Sequence, residues 1–194
     1  MPAKRFSDPA ELPEGFLYQA DFLSESEESE LLRRFEALQF EPYEFRGYSA
    51  RRRVATYGTN YGPLAPKEGE EARPIPDYLL SIRERAAIVA GVKAEEIVQA
   101  LVTEYTPGTP IGWHRDRPQF GTIVGVSLAS ACRLRLKPHQ GDGKIISVRL
   151  EPRSIYVMQG LARSSFVHSI PAVEKLRYAI TFRTLAKKQV RRAA

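Results

Sequence analysis

From Val98 to Leu185 the chain breaks into short runs of alternating or β-branched residues, and no other feature limits its possible folds so strongly. The runs are Val98 to Tyr105, Thr122 to Leu128, Arg133 to Leu136, Lys144 to Leu150, Ser154 to Met158, Ser165 to Ile170 and Leu176 to Leu185. Turn residues separate most of them, as in Thr106-Pro107-Gly108-Thr109-Pro110, Gln140-Gly141-Asp142-Gly143 and Glu151-Pro152-Arg153-Ser154. Seven or eight strands in about 90 residues predict a sandwich or a barrel.

Upstream the periodicity is helical. Ser24 followed three residues later by Glu27 is a capping-box pattern, and Leu31, Leu32, Phe35 and Leu38 recur at helical spacing, which predicts a helix over about 25 to 38. A second helix is predicted after Pro76, with Tyr78, Ile82, Ala86 and Val89 on one stripe and Gly91 as its C-terminal cap. Residues 40 to 75 between them mix Phe40, Tyr43, Phe45, Tyr48, Tyr57 and Tyr61 with arginines, Gly and Pro, the composition of a hairpin or lid on a scaffold and not of core. The expected class is therefore mainly-β α+β in one domain: helices and lid over about 16–97, a β core over about 98–186, and a basic tail at 187–194.

Composition narrows the setting. At 194 residues a hydrophobic core suffices without cross-links, and the single cysteine, Cys132, has no partner for an intrachain disulfide. No apolar run is long enough to span a bilayer and the N-terminal stretch has no apolar core of signal-peptide type, so a cytoplasmic protein without a membrane partner is expected. The formal charge of +6 is concentrated at Arg51-Arg52-Arg53 and in the C-terminal tail, which permits a polyanionic partner.

Only three histidines exist, so any imidazole site draws on His114, His139 and His168. In Gly112-Trp113-His114-Arg115-Asp116 an extended backbone turns the side chains of His114 and Asp116 to the same side. His168, on a later predicted strand, can join them across a sandwich. Two histidines and a carboxylate with open positions form the facial triad of non-haem Fe(II) oxygenases. The competing reading is a chance His-x-Asp with ordinary hydrogen-bonded histidines. A zinc hydrolase fits less well, with no HExxH motif and one thiol, and a serine hydrolase less still, with no GxSxG.

The last predicted strand carries a second constellation. In Arg177-Tyr178-Ala179-Ile180-Thr181-Phe182-Arg183, the residues Arg177, Ala179, Thr181 and Arg183 share one face while Tyr178, Ile180 and Phe182 share the other. Two inward arginines need anions, and side chains leaning together across roughly 20 Å of strand leave a gap the size of a small dicarboxylate. Leu101, Thr103 and Tyr105 run in phase on another strand, where Tyr105 can donate to the same anion. The alternative is a pair of surface arginines on an edge strand.

Tyr105-x-Pro107-Gly108, then His114-x-Asp116, then His168, then Arg177-x5-Arg183 within RYAITFR resembles the AlkB family of Fe(II)/2-oxoglutarate dioxygenases, from about Phe16 to Leu185. Ala55-Thr56-Tyr57-Gly58 following Arg53 is similar to the nucleotide-recognition lid of members that act on nucleic acid. The resemblance implies a double-stranded β-helix, or jelly roll, with His114, Asp116 and His168 on the iron. It implies 2-oxoglutarate as cosubstrate and O2 as oxidant, with Arg177 and Tyr105 on the distal carboxylate, Thr103 close by and Arg183 nearer the iron. The implied reaction is oxidative demethylation of alkylated bases in DNA or RNA, releasing formaldehyde, succinate and CO2, by a monomer. Arg53, Tyr57, Tyr61 and Trp113 are the expected substrate contacts, with Arg133 and Arg135 toward phosphate. Thr103 and Ala179 stand where some repair members carry asparagines, and Pro118 where they carry an acidic residue, which affects base identity more than cosubstrate use. The alternatives are an AlkB-like oxygenase of a protein or a modified tRNA base, and a jelly roll that only binds.

Overall fold

The computed structural model describes residues 12–45, 48–59, 65 and 71–187. Eleven strands and three helices follow in the order β1 (Phe16–Gln19), α1 (Glu25–Glu36), β2 (Glu41–Phe45), β3 (Tyr48–Gly58), α2 (Asp77–Ala90), β4 (Ile97–Tyr105), β5 (Ile111–His114), β6 (Phe120–Leu128), β7 (Cys132–Pro138), β8 (Ile146–Leu150), β9 (Ile155–Met158), α3 (Gly160–Ser164), β10 (Phe166–Ile170) and β11 (Arg177–Leu185). The strands form two antiparallel sheets, one ordered β1-β9-β6-β11-β4-β3-β2 and the other β5-β10-β7-β8. This is a mainly-β α+β fold, and its two sheets agree with the expected jelly roll.

The helices form where their caps and stripes direct. Ser24 Oγ accepts from the Glu27 amide while the Glu27 carboxylate accepts from the Ser24 amide, closing the capping box that opens α1. Leu31 and Phe35 then face the large sheet, both buried. Helix α2 ends at Gly91, whose φ of 66° is the left-handed cap that glycine adopts without a Cβ penalty. Its buried stripe is Leu79, Ile82, Ala86, Ala87 and Ala90; Tyr78 and Val89, expected on that stripe, pack along its margin. Among the described residues no helix is long and apolar enough to cross a membrane.

The large sheet has two different faces. Toward the helices it presents Tyr178, Ile180 and Phe182 of β11, Ala100 and Val102 of β4, Val124, Val126 and Leu128 of β6 and Ala55 and Tyr57 of β3, in one cluster with α1 and α2. Toward the small sheet it presents Tyr105, Ile123, Tyr156, Met158 and Ala179, which meet Leu134, Leu136, Val148, Leu150 and Ile170. The alternation read on the last strand therefore holds, and Arg177, Ala179, Thr181 and Arg183 all point between the sheets, opposite Tyr105, Thr103, Leu101 and Gln99.

The segment expected to be a lid and not core is in part a sheet member. Strand β3 pairs with β4 from Arg53 to Gly58, and Val54, Ala55 and Tyr57 are buried. Backbone hydrogen bonding to β4 and the packing of α2 on the far side draw this half of the ribbon into the core.

Candidate metal centre and cavity

The register of the small sheet builds the site. On β10, His168 lies directly opposite His114 of β5, with ring centroids 4.2 Å apart. Asp116 follows β5 two residues beyond His114, so the extended backbone returns its carboxylate to the same side. The ligand atoms of His114, Asp116 and His168 all lie within 4.8 Å of one another, close enough for one ion to touch all three.

Each side chain is held in a ligating form. His114 Nδ1 is 2.8 Å from the Gly112 carbonyl, which puts the proton on Nδ1 and leaves Nε2 as the donor to a metal. Burial, reinforced by His114, pushes His168 down to about 4, so it is a neutral ligand at pH 7. Burial alone would push the Asp116 carboxyl up, but the Arg183 guanidinium beside it holds it well below the usual carboxylate range. Arg183 donates from Nε at 2.9 Å and Nη2 at 2.6 Å, both to Oδ1, while Oδ2 lies 3.4 Å from His168 Nε2 and faces the histidines. Arg183 Nη1 also donates to Gln99 Oε1 at 2.7 Å, fixing the guanidinium. Arg163 of α3 secures the loop after the ligands: its Nη2 donates to the carbonyls of Asp116, Arg117 and Phe120 at 3.2, 2.8 and 2.9 Å.

A cavity of about 360 Å³ opens beside the triad, walled by Leu101, Thr103, Tyr105, Tyr156, Thr181 and Arg183 and rimmed by Tyr43, Arg52, Trp113, Arg115 and Arg117. Arg177 is buried next to the cavity wall, 1% exposed, with its guanidinium carbon 4.9 Å from the ring centroid of the lining residue Tyr105. Its Nη2 donates to Ser127 Oγ at 3.2 Å, while the buried Nε and Nη1 have no hydrogen-bond partner among the described residues. Two orphaned guanidinium nitrogens beside a phenol fit a carboxylate, since a buried cation left unpaired is costly. The donor set of two imidazoles and one carboxylate fits a ferrous ion, so the residues present suit both an iron and a dicarboxylate cosubstrate.

The comparisons with known proteins come to the same place. Residues 15–183 match the family model described as 2OG-Fe(II) oxygenase superfamily. The chain belongs to this superfamily, and to its AlkB family. It is 30% identical over 162 residues to the bovine (Bos taurus) protein named alpha-ketoglutarate-dependent dioxygenase alkB homolog 7, mitochondrial, covering 82% of this chain and 68% of the relative. It is 25% identical over 175 residues to a zebrafish (Danio rerio) protein named probable RNA/DNA demethylase ALKBH6, covering 84% of this chain and 72% of the relative. The solved structure of OsALKBH1 superposes with a TM-score of 0.69 at 20% identity, over 89% of this chain and 99% of that one, a likeness of fold. This AlkB-family chain is thus an Fe(II)/2-oxoglutarate dioxygenase with a His-Asp-His group at its centre.

The expected substrate residues fare unevenly. Trp113 is on the cavity rim, 36% exposed, with the Arg135 guanidinium carbon 5.0 Å and Lys137 Nζ 4.8 Å from its ring centroid. Arg135 is on the outer face of the small sheet, where its Nε donates to Ser169 Oγ at 3.0 Å; it does not line the cavity. Arg53 and Tyr57 are on the wrong face: Arg53 forks onto the buried Glu104 carboxylate, with Nε and Nη2 at 2.9 and 3.0 Å, and Tyr57 is core. The phase of β3 is one residue away from the expected one, so Arg52 and not Arg53 meets the cavity, where its guanidinium lies 4.0 Å from the Tyr43 ring centroid. Tyr61 falls outside the described residues. Tyr43, Arg52, Tyr156 and Arg163 are the site residues that sequence reasoning passed over. Arg52 shares its face with Val54 and Thr56 once the pairing of β3 with β4 is known, and nothing local marks Arg163.

Proposed function

We propose that this dioxygenase demethylates alkylated bases in DNA or RNA. His114, Asp116 and His168 hold the iron, Arg177 and Tyr105 seat the distal carboxylate of 2-oxoglutarate, Thr103 flanks its carbon chain, and Arg183 orients Asp116. Iron and keto acid together supply the oxidant that hydroxylates a C–H bond, with 2-oxoglutarate leaving as succinate and CO2; on an N-methyl group the product separates into formaldehyde and the bare nitrogen. The chain's own part is to keep metal positions open, exclude competing donors and hold the substrate carbon beside the centre.

The observation that carries this reading is the cavity lining: the rings of Tyr43 and Trp113 and the cations Arg52, Arg115 and Arg117 line the cavity that also holds the triad. Aromatic faces stack a flipped or single-stranded base, worth about 1–3 kcal/mol per base, and guanidiniums meet its phosphates. The β2–β3 ribbon serves as the substrate lid of a single catalytic domain, whose core is 98–186. The zebrafish relative's printed name, an RNA/DNA demethylase, supports the same substrate class.

The second reading is oxygenation of a protein or of a modified tRNA base, and it draws support from Arg53 and Tyr57, which face away from the cavity. Formaldehyde release from N-methylated DNA and RNA oligonucleotides, set against methylated peptides and tRNA under the same Fe(II) and 2-oxoglutarate supply, separates the two. Release from the oligonucleotides is expected; release from peptides or tRNA alone would replace the proposal with the second reading.

A further inference from the structure

The outer face of the small sheet takes no part in the metal centre. Its strands β5, β10, β7 and β8 read IGWH, FVHSI, CRLRLKP and ISVRL, and none contains an acidic residue. Leu134, Leu136, Val148 and Leu150 point inward to the core. By the two-residue period of a strand, Arg133, Arg135 and Lys137 of β7 and Arg149 of β8 therefore project from the opposite face. Register sets Arg133 directly across from Arg149 and Arg135 beside Ser169, to whose Oγ its Nε donates at 3.0 Å.

Little on the protein answers these charges. Arg149 is paired with Glu151, just beyond β8. Arg133, Arg135 and Lys137 have no carboxylate partner among the described residues. Like charges directly opposite each other, or about 7 Å apart along one strand, oppose folding, so the array serves no purpose in stability. The face also runs into the cavity. Trp113 of β5 lines the cavity, while Arg135 and Lys137 lie over its ring at 5.0 and 4.8 Å from the centroid. From Trp113 to β7 is two strand spacings, about 10 Å, which a few nucleotides cross.

We propose that the outer face of the small sheet is a docking surface for the phosphate backbone flanking the base held in the cavity, with Arg133, Arg135, Lys137 and Arg149 on the phosphates. The inference rests on the nucleic-acid reading of the substrate. Charge complementarity selects this occupant: cations repeating at the strand period meet successive phosphates of an extended backbone, and guanidiniums take phosphate oxygens in pairs. Such contacts carry no base information, so the face confers a preference for strand length and not for sequence.

The test is binding of fluorescent single strands to the full chain, with Mn(II) in place of iron and 2-oxoglutarate present, so that no turnover intervenes. One strand has about 15 nucleotides around a central N-methylated base, and the other is the trinucleotide from its centre. Arg133→Glu removes one cation and sets a carboxylate opposite Arg149, so two charges leave the array without a new repulsion in the sheet. It should weaken the long strand about tenfold near physiological salt and lower its slope of log affinity against log salt by about 1.4, the loss of two phosphate contacts. The trinucleotide should change by less than about twofold, and the melting temperature should not fall. Arg133→Lys, which keeps the charge, should keep the slope. Equal losses for the two lengths, or no loss for the long strand, overturn the surface. Displacement of the long strand by an oligoglutamate as readily as by its unlabelled copy would give the face to an acidic protein instead. Formaldehyde release from the trinucleotide by the iron-loaded wild type tests demethylation separately. Release together with unaltered long-strand binding in Arg133→Glu removes only the surface; no release, with the tenfold loss intact, removes demethylation and leaves a nucleic-acid surface.

Discussion

The two faces of the large sheet are made from the same strands and solve opposite problems. On the helix side, Tyr178, Ile180 and Phe182 alternate into a cluster closed by α1 and α2, and its buried carboxylate, Glu104, is matched by Arg53 and by the Tyr178 hydroxyl at 3.2 Å. On the cavity side, the intervening residues Arg177, Ala179, Thr181 and Arg183 point between the sheets, with Thr181 and Arg183 lining the cavity and Arg177 buried behind the Tyr105 ring that lines it. Arg183 is satisfied by Asp116 and Gln99, whereas Arg177 retains two buried nitrogens with no partner among the described residues, so even on one strand the two arginines differ in what they await. The contrast implies that stability resides in the helix-side face, and that the cavity face can be altered with the fold intact.

Replacing a ligand tests that division most severely. Asp116→Ala or His114→Ala should reduce succinate formation to background while the far-ultraviolet dichroism and cooperative melting persist, because neither side chain belongs to an apolar cluster. Loss of cooperative unfolding in these variants would make the triad a structural element. The reciprocal change is Phe182→Ala, which removes a fully buried ring from the helix-side cluster. A loss of about 3–5 kcal/mol in denaturant unfolding is expected, with 2-oxoglutarate affinity retained by the protein that remains folded.

The same contrast explains what could be read in advance. Apolar alternation over several residues reports a face directly, so β4, β6, β7, β9, β10 and β11 were legible, as was the shared side of His114 and Asp116. Strand β3 was not, because Arg51-Arg52-Arg53-Val54-Ala55-Thr56-Tyr57 has no clean alternation, and its phase is set by pairing with β4 and by an irregularity opposite Pro42 and Tyr43. A slip of one residue moved Arg53 and Tyr57 to the cavity in the reading and to the helix side in the fold. Arg163 was invisible for a different reason: its partners are distant in sequence, and it carries no local pattern.

Arg163 tests how far support of the cavity face extends from the ligands. Its three hydrogen bonds to the carbonyls of residues 116, 117 and 120 hold the loop that carries Asp116. Arg163→Met preserves the stem and deletes these donors. Fe(II) affinity, followed by titration under anaerobic conditions, should fall about tenfold, in the range of lost outer-shell partners. An unchanged affinity would mean that Arg183 alone positions the carboxylate.

The smallest effects sharpen the phase of β3. Arg52→Ala removes a rim cation and should weaken binding of a methylated oligonucleotide a few-fold, and lower the slope of log affinity against log salt by about one. Arg53→Ala, one residue away, should leave that slope untouched. It should instead lower stability by about 1 kcal/mol, since Glu104 is buried and loses its forked partner while Arg53 itself is half exposed and screened. Two adjacent arginines with the same charge would then separate cleanly, one in a binding isotherm and one in a melting curve. A reversal, with Arg53 governing the salt dependence, would place the ribbon in the opposite phase and turn its substrate side toward the helices.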